Sequence, residues 1–161
     1  MGVFIDIYPY DGLGTTEKEA VTYGMKGDRL SSLCYQSTRE HFAIETTTSL
    51  FRKIIKYPVF IGSKLIGKDY FQKKLNQLVE LKEYEDSNYI GCVVWLSGGK
   101  KEIFLRKWFD ETVMVPFEKY QFRVPKDYDE VLRHTYGDYM QLPPEKDRIG
   151  HHYFKAYRKD E

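Results

Sequence analysis

Residues 89–96 read YIGCVVWL, a continuous apolar run that ends at Ser97-Gly98-Gly99. A run of this length, rich in β-branched and aromatic residues and closed by turn residues, is typical of a strand buried in a core. It is far shorter than the roughly 20 apolar residues that a membrane span requires. We therefore expect a core strand here, with the other elements arranged around it.

The stretch downstream predicts a two-stranded ribbon. Apolar residues alternate with polar ones over 113–117 and 122–124, on either side of Glu118-Lys119-Tyr120. Pro116 has no backbone N–H and therefore marks an edge position. The pattern indicates a small antiparallel hairpin.

Helical patterns lie on both sides of the core strand. Between Phe71 and Val79, apolar residues recur at i, i+4, i+7 and i+8, which predicts an amphipathic helix over about 64–83. Asp127 opens a capping-box pattern, and Gly137 lies where a glycine commonly ends a helix. A second, shorter helix is therefore expected between these two residues.

The stretch from Thr16 to about Ile55 is mixed and polar, and it predicts two helices that glycines interrupt. The interrupting residues are Gly24 and Gly27. After them, Tyr57-Pro58 and Gly62 are expected to break the chain again before the amphipathic helix begins.

The chain opens with a third candidate strand. Residues 3–8 read VFIDIY, stop at Pro9 and precede an Asp11-Gly12 turn signal. Both faces are apolar apart from Asp6, so the strand is expected inside a sheet, paired with 89–96 or with the hairpin. Because unpaired strand edges invite partners, some tendency to form a homo-oligomer is also expected.

These elements predict an α+β fold in a single domain covering 1–161, because no repeat or linker divides the chain. With 25 basic and 24 acidic residues, the net charge of +1 provides no overall field to recruit nucleic acid. Cys34 and Cys92 are isolated, which argues against a zinc site or a disulfide scaffold. We expect a cytoplasmic protein without a transmembrane segment, with a peripheral position at the inner face of the membrane left open.

Three sets of polar residues could carry chemistry. Asp6 is a carboxylate in an apolar strand, and a bound Mg²⁺ would relieve its burial, although a solvated strand face is an equal alternative. The glycines and lysines of 97–101 could hold a phosphate, although an ordinary solvated loop is favoured because the spacing of a phosphate-binding loop is absent. On a helix, Arg148, His151 and His152 would share one face, with a polar tail as the alternative.

Three stretches resemble a known family. VFIDIYPYDG at 3–12 resembles the "FIDIFPLDG" signature of the LicD family, and GKKEIFLRKWFDE at 99–111 resembles its central stretch. FEKYQFRVPKDYDEVLRHTYGDYMQLPPEKDRIGHH at 117–152 is similar to its C-terminal signature, in which the YGDYM-x-LPP string is long and specific. The chain is thereby identified as a member of this family over nearly its whole length.

The resemblance implies a partial nucleotidyltransferase-type fold, related to fukutin, with a short sheet and hairpin packed by helices. It also implies transfer of phosphocholine from CDP-choline to a glycan acceptor such as teichoic acid or lipopolysaccharide. Asp6 would be a catalytic residue and a ligand of Mg²⁺. Substrate binding would fall to Lys101, Glu102, Tyr136, Arg148, His151 and His152.

The sequence departs from its family in one respect. No D-x-D precedes Asp6, so we expect the C-terminal part of such a transferase, inactive by itself. The alternative is a non-catalytic module that binds phosphocholine or a glycan. Aromatic side chains near a carboxylate can enclose a quaternary ammonium group, and the available ones are Tyr8, Tyr10, Trp95, Trp108 and Tyr139. A third reading is transfer of another phosphorylated group to a surface sugar.

Overall fold

The computed structural model describes residues 7–42, 50–96, 99–142 and 144–145. These residues form an α+β fold, in which helices pack against a three-stranded antiparallel sheet and a separate two-stranded ribbon lies beside them. The predicted fold class is therefore confirmed. The nucleotidyltransferase-type topology stays a prediction.

The sheet has the order β1-β2-β3, and the ribbon consists of β4 and β5. The strands are β1 at Asp11–Gly14, β2 at Tyr89–Gly91, β3 at Phe104–Leu105, β4 at Thr112–Phe117 and β5 at Tyr120–Pro125. The helices are α1 at Glu17–Thr38, α2 at Leu50–Ile66, α3 at Lys68–Val79 and α4 at Tyr128–Tyr136.

The core lies where α1 crosses the sheet. It is built from Leu13, Ala20, Leu78, Val93, Leu96 and Ile103, all nearly inaccessible to solvent. Helix α1 approaches this core closely because Gly24 and Gly27 present no side chain to it. A Cβ atom at Gly27 would lie 2.3 Å from the carbonyl oxygen of Val93. The two glycines therefore lie inside one continuous helix, and the prediction that they interrupt it was wrong.

The start of the chain differs from the prediction. Residues 3–6 of the expected strand lie outside the described residues, while Ile7 is 89% exposed and Ile7 and Tyr8 are not in a strand. The first described strand begins instead at Asp11, which pairs with Gly91. The predicted Asp11-Gly12 turn was wrong because Gly12 lies against the Glu83 carbonyl oxygen, only 2.4 Å from where a Cβ would be.

The run at 89–96 is central, as predicted, but only its first three residues are a strand. Beyond Gly91 the chain turns, and the Trp95 N–H donates to the Cys92 carbonyl at 3.1 Å. Val93 and Leu96 are nevertheless buried, because α1 covers them at its two glycines. Contact with a helix replaces contact with a neighbouring strand for this half of the run.

The helices between Leu50 and Val79 shift relative to the predictions. Helix α2 continues through Pro58 and Gly62, so the break predicted there was wrong. The break lies at Gly67, whose φ of 89° suits glycine. The amphipathic helix α3 follows, and the burial of Phe71, Leu75 and Leu78 confirms its predicted stripe.

The downstream elements confirm the predicted ribbon and the predicted short helix, but the capping box predicted at the start of that helix was wrong. Phe117 pairs with Tyr120 at the end of the ribbon, and the turn places Glu118 at a φ of 52°. Helix α4 ends at Gly137 with a φ of 73°, although its N-cap residue Asp127 makes no side-chain cap hydrogen bond.

Candidate functional site

A cavity of about 370 Å³ opens where the segment before β1 meets the turn after β2 and helix α4. Four different parts of the chain contribute to its wall. The residues that matter most for its chemistry are Tyr8, Tyr10, Trp95, Phe104, Tyr136 and Glu102. The cavity thus combines aromatic side chains with one carboxylate.

Tyr10 is fixed in the wall by ring packing. Its ring centroid lies 5.4 Å from that of Phe104 and 5.4 Å from that of Phe109, with the second pair nearly perpendicular. Burial raises the pKa of the Tyr10 phenol, and Cys92, Glu102 and Tyr136 nearby raise this pKa further. The phenol is therefore a neutral hydrogen-bond donor at physiological pH.

The outer wall is more accessible. Trp95 is 55% exposed and Tyr136 is 70% exposed, so a ligand could contact both without displacing the core. Helix α4, which carries Tyr136, is held to the turn Gly99–Glu102 by a hydrogen bond of 2.9 Å between the His134 ring nitrogen Nε2 and the Lys100 carbonyl oxygen. This contact places Tyr136 and Glu102 on the same cavity.

Cys92 contributes to the wall as an unreactive group. Burial raises the pKa of its thiol, and the carboxylates of Asp11 and Glu102 raise it further, while backbone hydrogen bonds to Val94 and Trp95 act in the opposite direction. A thiol with a raised pKa is protonated at neutral pH and is a poor nucleophile. The cavity is therefore suited to binding rather than to covalent catalysis through Cys92.

Comparison with known proteins places this chain in a family. Lipopolysaccharide cholinephosphotransferase LicD of Haemophilus influenzae is 32% identical to the chain over 157 residues. The chain belongs to the LicD family. The alignment covers 96% of this chain and 57% of the relative, so the chain spans somewhat more than half of the relative's length. No family model and no solved structure matches the chain.

The family membership predicted from the three motifs is thus confirmed, and the structure shows where some of the predicted LicD site residues lie. Glu102 and Tyr136 both line the cavity. Lys101 is exposed, next to Glu102 but not in the cavity wall, and Lys100 is engaged in an ion pair of 2.7 Å with Glu17. The roles of Lys101, Glu102 and Tyr136 stay predictions.

The remaining predicted residues lie outside the described residues. They are Asp6, Arg148, His151 and His152. Their roles in metal binding, catalysis and substrate binding also stay predictions.

The five aromatic residues predicted for a quaternary ammonium site divide into two groups. Tyr8, Tyr10 and Trp95 line the cavity. Trp108 instead packs on His134, with ring centroids 5.6 Å apart, and Tyr139 donates a hydrogen bond of 2.6 Å to Asp129. Phe104, which also lines the cavity, is not evident from the sequence, because its strand has only two residues and carries no periodic signal.

Within the described ranges, no group of three or more His, Cys, Asp or Glu side chains is arranged to hold a metal ion. The expected Mg²⁺ ligand Asp6 is not among these residues, so magnesium binding stays a prediction. Over the same part of the chain, no helix is both long and apolar enough to cross a membrane.

Proposed function

We propose that this chain is part of a transferase that moves phosphocholine from CDP-choline to a sugar of a cell-surface glycan. Its Haemophilus influenzae relative is a lipopolysaccharide cholinephosphotransferase. Lipopolysaccharide is accordingly the first acceptor to test, and teichoic acid is the second. Because the chain spans 57% of that relative, the activity of the whole protein is a proposal for this one.

One observation carries the proposal, namely the grouping of Tyr8, Tyr10, Trp95 and Tyr136 with Glu102 around one cavity. Aromatic faces attract a quaternary ammonium group through the ring quadrupole, and a nearby carboxylate adds a Coulombic attraction. The volume of about 370 Å³ lies at the lower end of small-molecule pockets. These properties suit the choline headgroup better than a sugar, which would need more hydrogen-bonding groups in the wall.

In this proposal the described residues bind and orient the headgroup. Trp95 and Tyr136 enclose the trimethylammonium group, and Glu102 neutralises its charge. The phenol of Tyr10, which is held rigidly by ring packing, donates a hydrogen bond to the headgroup. Positioning of this kind is a large part of what a protein supplies to phosphoryl transfer. Asp6 stands two positions before Tyr8 in the sequence, so we assign Mg²⁺ binding to the segment that leads into the cavity.

Calorimetric titration with phosphocholine tests the binding role. Tyr136→Leu and Trp95→Leu should each weaken binding by about 2-fold to 30-fold, because a cation-π contact contributes about 0.5–2 kcal/mol. Tyr120→Leu is the matched control, since Tyr120 is 55% exposed on the ribbon and does not line the cavity, and this variant should bind normally. The isostere 3,3-dimethylbutyl phosphate lacks the positive charge and should bind more weakly. Equal affinity for the two ligands would refute the ammonium site.

A non-catalytic phosphocholine-binding module is the second candidate. It is favoured by the cavity itself, because aromatic side chains around a carboxylate can bind a quaternary ammonium group without any catalytic residue. We propose that the 161 residues alone release no CMP from CDP-choline. A polypeptide of the relative's full length should release CMP and should lose this activity in Asp6→Asn. Phosphocholine binding without CMP release at either length would establish the module instead.

A further inference from the structure

Helix α2 has its apolar side turned away from the protein. Phe60 and Ser63 are buried and face the rest of the chain, with exposures of 6% and 2%. By contrast, Leu65 is 83% exposed, Phe51 is 71% exposed and Ile54 is 65% exposed. A helix that served only to cover the core would show the opposite arrangement.

The exposed apolar side chains form one continuous surface. At 3.6 residues per turn they fall within about half of the helix circumference, nearly opposite Phe60 and Ser63. The members of this surface, the α2 apolar face, are Phe51, Ile54, Ile55, Ile61, Leu65 and Ile66. A contiguous apolar surface of this kind normally has an interaction partner.

The charges of α2 indicate the kind of partner. Its sequence contains four basic residues, Arg52, Lys53, Lys56 and Lys64, and neither Asp nor Glu. At the same periodicity, Lys53 and Lys64 lie next to one edge of the α2 apolar face, whereas Lys56 lies nearly opposite that face. An apolar face with lysines along one edge, on a helix that has no acidic residue, complements a bilayer surface, where acyl chains lie beneath anionic headgroups.

The length of the helix indicates how it would sit on such a surface. The 17 residues of α2 extend about 25 Å at 1.5 Å per residue, which is shorter than the hydrocarbon core of a bilayer. Four charges within that length would also oppose insertion across the membrane. The helix is therefore suited to lie parallel to the surface.

We propose that α2 is a membrane-surface helix that docks the protein on anionic phospholipid through the α2 apolar face. The aromatic cavity is lined by residues of other elements, before β1, after β2 and on α4. Docking through α2 therefore involves none of the residues that line the cavity. This inference does not depend on phosphocholine transfer, and its test contains neither CDP-choline nor phosphocholine.

Co-sedimentation of the chain with vesicles tests the proposal. Vesicles of phosphatidylcholine containing roughly one-third phosphatidylglycerol should bind the chain, pure phosphatidylcholine should bind it less, and added salt should release it. Ile54→Ser with Leu65→Ser should lower the partition coefficient by at least about tenfold, because two buried side chains are lost from the interface. Lys53→Glu with Lys64→Glu should lower it by about the same factor.

The control variant removes comparable apolar side chains elsewhere. Met114→Ser with Phe117→Ser changes residues that are 57% and 64% exposed on the ribbon, and it should bind vesicles as the unaltered chain does. Thermal unfolding of each variant by circular dichroism verifies that the fold is retained, as expected for exposed positions.

Three results would overturn the proposal. The first is equal vesicle binding by the chain and by Ile54→Ser with Leu65→Ser. The second is self-association of the chain in sedimentation equilibrium, abolished by this double variant, together with no binding to vesicles. That result would show that the α2 apolar face binds a second copy of the chain. The third is loss of vesicle binding in a polypeptide as long as the Haemophilus influenzae relative. That result would show that the additional residues of the longer polypeptide cover the α2 apolar face.

Discussion

Helices α1 and α2 pack against each other, yet the more polar of the two is the one that contacts the core. Helix α1 carries charged residues along most of its length and reaches the core with Ala20, Gly24 and Gly27. Helix α2 is much richer in large apolar residues, and most of them face solvent. The comparison shows that contact with the core depends here on how closely a helix backbone can approach it. Large apolar side chains that do not contact the core, as in α2, indicate an interaction surface instead.

The largest expected effect tests the close approach of α1. Gly27→Ala should lower the free energy of unfolding by about 2 kcal/mol, because the new Cβ would meet the Val93 backbone, which cannot rotate away. Urea unfolding followed by circular dichroism measures this change. An unaltered midpoint would mean that α1 packs on the core more loosely than described, and the comparison between the helices would fail.

A glycine-to-alanine substitution in α2 is expected to change the free energy of unfolding in the opposite direction. Nothing lies within 4 Å of a Cβ placed at Gly62, so Gly62→Ala should raise the free energy of unfolding by up to about 1 kcal/mol through helix propensity. The same urea experiment provides the value. Destabilisation by this substitution would show that α2 is more tightly enclosed than its exposed side chains indicate.

Gly24→Ala sharpens the comparison within α1. Its Cβ would meet Leu96 Cδ2 at 2.3 Å, which is the end of a side chain and not backbone. Leu96 can change its rotamer, and alanine favours the helix, so the net loss should be about 1 kcal/mol or less. A loss equal to that of Gly27→Ala would indicate that Leu96 is as immobile as the backbone at Val93.

The smallest effect concerns a carboxylate near α1. Burial raises the pKa of Asp11 above its ordinary 3.8, while a hydrogen bond from the Val93 backbone N–H acts against this rise. An acid with a raised pKa binds its proton more tightly in the folded state. Its contribution to stability is therefore present below the unfolded pKa and is lost as pH rises through the folded pKa.

Asp11→Asn removes this ionisation and should become more stable relative to the unaltered chain as pH increases from 3 to 7. Melting temperatures of both proteins across that range measure the difference. A difference that stays constant or shrinks with increasing pH would show that the Val93 hydrogen bond outweighs the cost of burying the charge.

Local sequence patterns are sufficient to predict the elements that are stabilised mainly by contacts among their own residues. The ribbon at Thr112–Phe117 and Tyr120–Pro125 follows from alternation, and α4 ends at Gly137 because a glycine accepts its positive φ. The apolar stripe of α3 was likewise readable from its spacing. In the site, Glu102 and Tyr136 were singled out by the family motifs, but neither motif indicated that they share a cavity.

The sequence by itself determined the α+β class, the LicD family and the apolar character of residues 89–96. Only the tertiary structure decided that β2 ends at Gly91, that α1 continues through Gly24 and Gly27, and that α2 continues through Pro58. The physical reason is that a glycine can break a helix or allow a close contact, and its own neighbours in sequence do not distinguish the two. At Gly27 the distinction comes from the Val93 carbonyl, 66 positions further along the chain.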